Sequence, residues 1–380
     1  MDFNALLELM VSKKASDLFI TAGLPPSVKV SGRIMPATKT ALSSEQAARI
    51  VTAIMTDHQR ADFARERECN FAINPEGVGR FRVSAFYQRD QPGMVLRRIE
   101  TVIPKIEDLG LPPILRELSA TKRGLIIFCG GSGTGKSTSL ASMIGYRNEN
   151  STGHIVTIED PIEFVHTHLG CIVTQREVGI DTASFEVALR NTLRQAPDVI
   201  LIGEIRGQDT MDYAIAFAET GHLCLATLHA NNANQAMDRI INFFPPERHN
   251  RLFMDLSLNL KAVIAQQLIP TADGSGRVPA VEVLIGTPLM QDKIRAGEVH
   301  ELKEIMKRSG EQGMRTFDQH LYQLYQEGQI TYDEAIRHAD SANEVRLPAR
   351  LAADDREEQL EAATSHMSVE SGERRGRKLP

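Results

Sequence analysis

Eight residues, Gly130-Gly-Ser-Gly-Thr-Gly-Lys-Ser137, have the composition and spacing of a loop that wraps phosphate. Glycines at 130, 131, 133 and 135 admit backbone conformations closed to other residues, so successive N–H groups can turn inward around phosphate oxygens. Lys136 is spaced to reach the outer phosphates of a nucleoside triphosphate, and the Ser137 hydroxyl to ligate a magnesium ion bridging two of them. The residues expected to hold the nucleotide are Gly130, Gly131, Ser132, Gly133, Thr134, Gly135, Lys136, Ser137 and Thr138.

Three later segments bring groups that hydrolysis of ATP would use. His154-Ile-Val-Thr-Ile-Glu-Asp-Pro-Ile-Glu163 ends in the carboxylates Glu159, Asp160 and Glu163, one of which is expected to orient the attacking water. Glu163 is the better candidate, since Asp160 before Pro161 reads equally well as the start of a turn. Asp198-Val-Ile-Leu-Ile-Gly-Glu204 delivers a carboxylate at the tip of an apolar run, placed to hold magnesium through water. In Gly221-His222-Leu-Cys-Leu-Ala-Thr-Leu-His229 a histidine stands at each end. Their separation puts the two rings on opposite sides of a regular strand, which argues against a shared metal site. Either ring then bonds phosphate or a neighbouring carboxylate, or is simply structural. Arg80 and Arg82 fall on one face of an alternating strand, with Phe81, Val83 and Ala85 on the other, and Arg97 lies on a later strand candidate. Such arginines suit transition-state charge, although a solvated strand face explains the pattern as well.

These groups need elements to position them. Gly124 to Cys129 reads as a buried strand and Ser137 to Asn148 as a helix, so the glycine loop joins strand to helix and gains the positive end of the helix. Apolar strands recur at Leu125, Ile155, Val199 and Leu223 with helical periodicity between most of them, the pattern of a mainly parallel α/β sheet with its ligands at the strand ends. Before about residue 105, a short amphipathic helix (Phe3 to Val11), strands at Asp17 to Thr21, Ser27 to Val30 and Gly79 to Tyr87, and helices at Ser43 to Met55 and His58 to Arg65 predict a small α+β domain. Beyond Pro279 the pattern turns helical, with pieces at Leu302 to Lys307, Phe317 to Glu327 and Tyr332 to Ala339. The expected organisation is an N-terminal domain over 1–100, a linker over 101–122, an α/β core over 123–285, a helical appendage over 286–341 and a disordered tail over 342–380, where charge is high and aromatics are few.

The chain has 380 residues and a formal net charge of -6, a whole-molecule field that does not favour nucleic acid or an anionic membrane. Its 4 cysteines stand far apart, which excludes a disulfide framework and a zinc cluster and fits a reducing compartment. No apolar run approaches the roughly 20 residues needed to cross a bilayer, so no transmembrane segment is expected. A nucleic-acid translocase would share the glycine loop but should show a basic stripe, and a nucleotide-binding scaffold without turnover would tolerate loss of the acids at 163 and 204.

As a set, the segments Ala15-Ser-Asp-Leu, Ala22-Gly-Leu-Pro-Pro, GRFRVSAF, GGSGTGKST, TIEDPIEF, Arg194-Gln-Ala-Pro-Asp-Val-Ile-Leu-Ile-Gly-Glu-Ile-Arg206 and GHLCLATLHANNANQAMDRIINFFP closely resemble the PilT/PilU branch of type IV pilus retraction ATPases, within the secretion ATPase superfamily. The resemblance runs nearly end to end. It implies a PAS-like N-terminal domain, a RecA-like P-loop domain and a homo-hexameric ring with ATP between the domains. It assigns Glu163 as catalytic glutamate, Glu204 as the Walker B acid, His222 and His229 as the histidine box, and Arg80, Arg82 and Arg97 as phosphate-facing arginines. Two departures from the retraction type stand out: Gly207 where an acid is usual, which removes any role of that acid here, and Pro288-Leu-Met-Gln-Asp-Lys-Ile-Arg295 in place of its C-terminal motif, which with the long charged tail points to the accessory PilU side of the branch. The resemblance further implies a paralogous retraction ATPase and an inner-membrane pilus platform protein as partners, and a cytoplasmic place at the inner face of the bacterial inner membrane.

Overall fold

The computed structural model describes residues 3–30, 32–99 and 102–351. The first unit consists of α1 (Phe3–Ser12), β1 (Asp17–Ile20), β2 (Ser27–Val30), β3 (Arg33–Pro36), α2 (Ser44–Ala53), α3 (Asp57–Glu66), β4 (Glu68–Ile73), β5 (Phe81–Gln88) and β6 (Gln91–Arg98). Ser43 with Gln46, and Thr56 with Gln59, start α2 and α3 by capping boxes that satisfy the first free N–H groups. The six strands form one antiparallel sheet in the order β3-β2-β1-β6-β5-β4. Alternation along β5 sends Phe81, Val83 and Ala85 into a core shared with Leu7, Met10, Val51 and Phe63 of the helices. The other sheet face carries a polar row across four strands: Arg82, Arg97, Asp17 and Lys29 stand side by side.

The second unit contains α4 (Ile114–Ala120), β7 (Gly124–Cys129), α5 (Lys136–Asn150), β8 (Gly153–Glu159), β9 (Cys171–Glu177), α6 (Phe185–Thr192), β10 (Val199–Ile202), α7 (Gln208–Glu219), β11 (Leu223–Leu228), α8 (Ala233–Asn242), α9 (His249–Asn259), β12 (Leu260–Pro270) and β13 (Arg277–Ile285). Its seven strands run β13-β12-β7-β11-β10-β8-β9, all parallel except β13. Every residue of β7, β10 and β11 is buried, as an apolar strand requires when helices cover both sheet faces. One apolar layer includes Leu140, Met143 and Ile144 of α5 with Leu115 and Leu118 of α4. The opposite layer is built on α6 to α9 and continues into α10 (Pro288–Ala296), α11 (Leu302–Arg308), α12 (Phe317–Gln326) and α13 (Tyr332–His338). Among the described residues no helix is long and apolar enough to cross a membrane.

The expected α/β class holds, and three details differ from the sequence reading. The helical pattern begins later than Pro279, because β13 continues to Ile285, paired along its whole length with β12. The stretch read as a linker carries α4, whose Leu115 and Leu118 belong to the core. Residues 342–351, expected to open a disordered tail, are helical. Composition alone gives this segment little to bury, but Val345 is fully buried in the core, Glu344 pairs with Lys307 at 3.0 Å, and the Tyr322 hydroxyl donates to the Pro348 carbonyl. Docking supplies the order that composition does not. The rest of the expected tail, 352–380, lies outside the described residues.

Candidate active site

The glycine loop leaves the C-terminal end of β7, in the middle of the sheet, and feeds directly into α5. Two of its glycines are required by a neighbouring strand. A Cβ on Gly130 (φ +155°) would sit 2.6 Å from the Gln266 carbonyl oxygen, and one on Gly135 (φ +88°) 2.7 Å from Gln266 Nε2. Gln266 is a buried residue of β12 that also accepts from the Ser139 hydroxyl at 2.7 Å, which ties β12 to α5 beside the loop. Gly133 also has positive φ, whereas Gly131 does not. The Lys136 ammonium donates to the carbonyls of Gly130 (2.9 Å) and Gly131 (2.7 Å), and the Thr134 hydroxyl to that of Gly131 (3.0 Å). Burial lowers the Lys136 pKa from its ordinary value, against the pull of Glu204 and Glu163 among its neighbours.

A cavity of about 250 Å³ opens above the loop, lined by Ser132, Gly133, Lys136 and Ser137, by Glu159 at the end of β8 and Asp160 and Glu163 beyond it, by Glu204 after β10, and by His229 after β11. Parallel strands bring these groups together, since their C-terminal ends lie on one edge of the sheet. Glu204 accepts from Arg206 Nε at 3.0 Å and lies 3.3 Å from His229 Nε2. Arg206 also pairs with Asp160 at 3.2 Å, which ties the ends of β8 and β10. Nothing in the sequence pattern marks Arg206 for this tie. The three acids at and beyond the end of β8 part company: Glu159 accepts from Thr157 (2.6 Å) and Gln175 (3.1 Å), Asp160 is engaged by Arg206, and Glu163 stays exposed on the cavity wall. Burial pushes the Glu159 carboxyl up to about 7, with the Thr157 and Gln175 hydrogen bonds pulling the other way.

His222 is not brought to this cavity. It stands at the opposite end of β11, against the Thr220 hydroxyl (3.0 Å) and the Phe217 carbonyl (3.2 Å), and a six-residue strand separates it from His229, roughly 20 Å of extended chain. The arginines are also displaced from expectation. Arg82 and Arg97 line a second cavity of about 650 Å³ between the antiparallel sheet and Thr138, Ile162, Glu163 and Phe164. Glu163 borders both cavities. Arg97 is held by Asp17 at 3.0 Å, and Arg82 lies 3.8 Å from the buried Glu177, so each guanidinium faces an acid of the protein. Thr138 lines the arginine cavity and Ser137 the phosphate cavity.

A buried strand, a glycine loop opening a helix, and acids at the tips of adjacent parallel strands define a P-loop nucleotide-binding protein. The chain belongs to the type II/IV secretion system protein family, whose model matches residues 2–347, and within it to the PilT/PilU branch. It is 67% identical over 370 residues to the type IV pilus ATPase PilU of Pseudomonas aeruginosa, covering 97% of each chain. The type IV pilus retraction ATPase PilT of the same organism is 41% identical over 89% of this chain and 98% of PilT. The crystal structure of the pilus retraction motor PilT with bound ADP matches with a TM-score of 0.85 and 38% identity, over 91% of this chain and 99% of that one.

Proposed function

We propose that this chain is a magnesium-dependent ATP hydrolase that powers or assists type IV pilus retraction, working as an accessory to a paralogous motor. One observation carries the reading: in a chain 67% identical to PilU, Glu163 and Glu204 from separate strands share a cavity with Lys136, Ser137 and His229.

On this reading Gly130 to Thr138 bind the phosphates through backbone N–H groups, Lys136 and the N-terminus of α5. Lys136 has hydrogen bonds to two loop carbonyls that phosphate oxygens would replace. The Ser137 hydroxyl and the Glu204 carboxylate are hard oxygen donors suited to magnesium. When bound, that ion neutralises charge on the phosphoryl oxygens. Glu163, exposed on the wall between the two cavities, orients the attacking water, while His229 keeps Glu204 in place through their 3.3 Å contact. Arg82 and Arg97 reach phosphate only after leaving Glu177 and Asp17, which makes closure of the N-terminal sheet onto the core part of the cycle. Arg80 belongs to the same strand face and follows that movement.

The reading extends to organisation. The N-terminal unit, about 1–100, is PAS-like; 101–122 connects it to a RecA-like core over 123–285; 286–341 forms a helical appendage. The protein works as a homo-hexamer in the cytoplasm at the inner face of the bacterial inner membrane, against a pilus platform protein and beside its paralogue. The test is phosphate release by the purified chain with and without a PilT-type partner, on assemblies whose mass is measured in the same solution. Glu163→Gln is expected to lower turnover at least a hundredfold while nucleotide still binds. Unchanged turnover in that variant removes Glu163 from the role.

A further inference from the structure

The segment that carries Glu163 has little secondary structure of its own, yet it is pinned by the polar face of β9. Gln175 and Glu177 stand opposite Thr157 and Glu159 of β8 in parallel register, which places all four side chains on one sheet face. From there Gln175 Oε1 accepts from the His166 N–H (2.8 Å), and the side-chain Nε2 donates to the Phe164 backbone carbonyl (2.9 Å) and to Glu159 (3.1 Å). Glu177 Oε2 accepts from the Ile162 N–H at 3.3 Å. Residues 162, 164 and 166 are therefore fixed through their backbone, and Glu163 hangs between the first two.

Glu177 has a second engagement, in the other domain. It is fully buried, and its Oε1 faces Arg82 Nε of β5 at 3.8 Å, an ion pair without a hydrogen bond. Among the described residues Oε1 has no hydrogen-bond partner, and neither does the buried Nε of Arg80 nearby on the same face. Burial raises the Glu177 carboxyl above its ordinary range, while the Ile162 N–H and the Arg82 and Arg80 guanidiniums pull it back. A dry carboxylate oxygen thus faces the Arg82 guanidinium without bonding it, and Arg82 borders the cavity where Glu163 lies.

We propose that Glu177 is a positioning residue that couples the N-terminal sheet to the Glu163 segment. One carboxylate oxygen holds the Ile162 backbone, and the other retains Arg82 until a nucleotide's phosphates compete for it. The proposal rests on the ATPase reading above. It makes Glu177 a rival of phosphate for the arginine and, separately, a support for Glu163.

The two roles are separable by substitution in the full chain. Glu177→Gln keeps an oxygen for the Ile162 N–H and removes the charge facing Arg82; Glu177→Ala removes both. Titration with a fluorescent non-hydrolysable ATP analogue is expected to show at least threefold tighter binding for Glu177→Gln than for wild type, and no such gain when Arg82→Ala is already present. In phosphate release, kcat of Glu177→Ala is expected to fall at least tenfold below that of Glu177→Gln, while the Gln variant changes mainly KM. Equal kcat for the two variants refutes the support of Glu163, and tightening that persists without Arg82 refutes the competition. If Glu177→Ala does not fold, the binding cycle of Glu177→Gln with Arg82→Ala still decides the coupling. Should wild type itself release no phosphate, the ATPase reading fails, and that same binding cycle stands or falls independently of it.

Discussion

Replacing Glu282 with glutamine should change the pH dependence of stability by an amount that follows from its surroundings. Glu282, on β13, is 2% exposed, and its two oxygens accept from the first N–H groups of two helices, Ala233 of α8 at 2.7 Å and Phe317 of α12 at 3.2 Å. It thereby ties the sheet to the helix that follows His229 and to the later helical layer. Burial pushes its carboxyl from an ordinary 4.5 up to about 7, helped by Asp340 and opposed by the two hydrogen bonds and Lys303. Between those values the folded chain holds a proton that the unfolded chain has released. The contribution to stability is therefore complete below pH 4.5 and lost as the pH rises through about 7. At about 1.4 kcal/mol per tenfold change in proton affinity, the loss is about 3 kcal/mol. Glutamine offers one acceptor where the site needs two, and its amide donors face an N–H, which costs about 1–3 kcal/mol at any pH. The variant should be the less stable protein at pH 5 and should match or exceed wild type at pH 8. Urea unfolding followed by circular dichroism, at one protein concentration and both pH values, reads the difference. A gap that stays constant, or that widens in favour of wild type as pH rises, refutes the argument.

Two further outcomes concern the phosphate cavity. Gly135→Ala places a Cβ at φ +88° and 2.7 Å from Gln266 Nε2, so nucleotide affinity should fall more than tenfold while the thermal midpoint drops by only a few degrees; a titration showing wild-type affinity would mean that the loop does not need this backbone shape. Glu159→Gln removes a carboxylate whose burial has raised it to about 7, so ATP should bind more tightly than to wild type at pH 8 and equally at pH 5.5, and binding measured at both values that shows no such divergence excludes charge at 159 from the cavity's field.

Much of this site was legible in the sequence because its groups are local to motifs. The loop, Glu163, Glu204 and His229 each follow an apolar run that could only be a buried strand, and parallel topology does the rest. What was not legible depends on contacts between distant segments. Gln266 carries no mark of its role, since a single glutamine in β12 looks like any other until it lies against Gly130 and Gly135. His222 looked equivalent to His229, and only the direction of β11 separates them. The strand β9 was overlooked because it ends in Thr-Gln-Arg-Glu, polar residues kept there by position at the sheet edge and by the hydrogen bonds Gln175 and Glu177 make to the Glu163 segment. Period-two alternation gave the arginine face correctly, but pattern says nothing about which acid a guanidinium meets, and Asp17 and Glu177 came from elsewhere in the chain. The helix over 342–351 is hidden for the converse reason, since its order comes from Val345 in the core and from the Glu344 pair with Lys307.

The bond from Ser139 to Gln266 spans 127 residues. A ribosome therefore finishes the nucleotide-gripping motif long before it makes the side chain against which that motif is moulded. Nascent chains released short of β12 would carry the octapeptide without the strand that lies against Gly130 and Gly135. In this protein the motif and the strand beside it are made far apart in time, and they meet only when β12 pairs with β7 in the sheet.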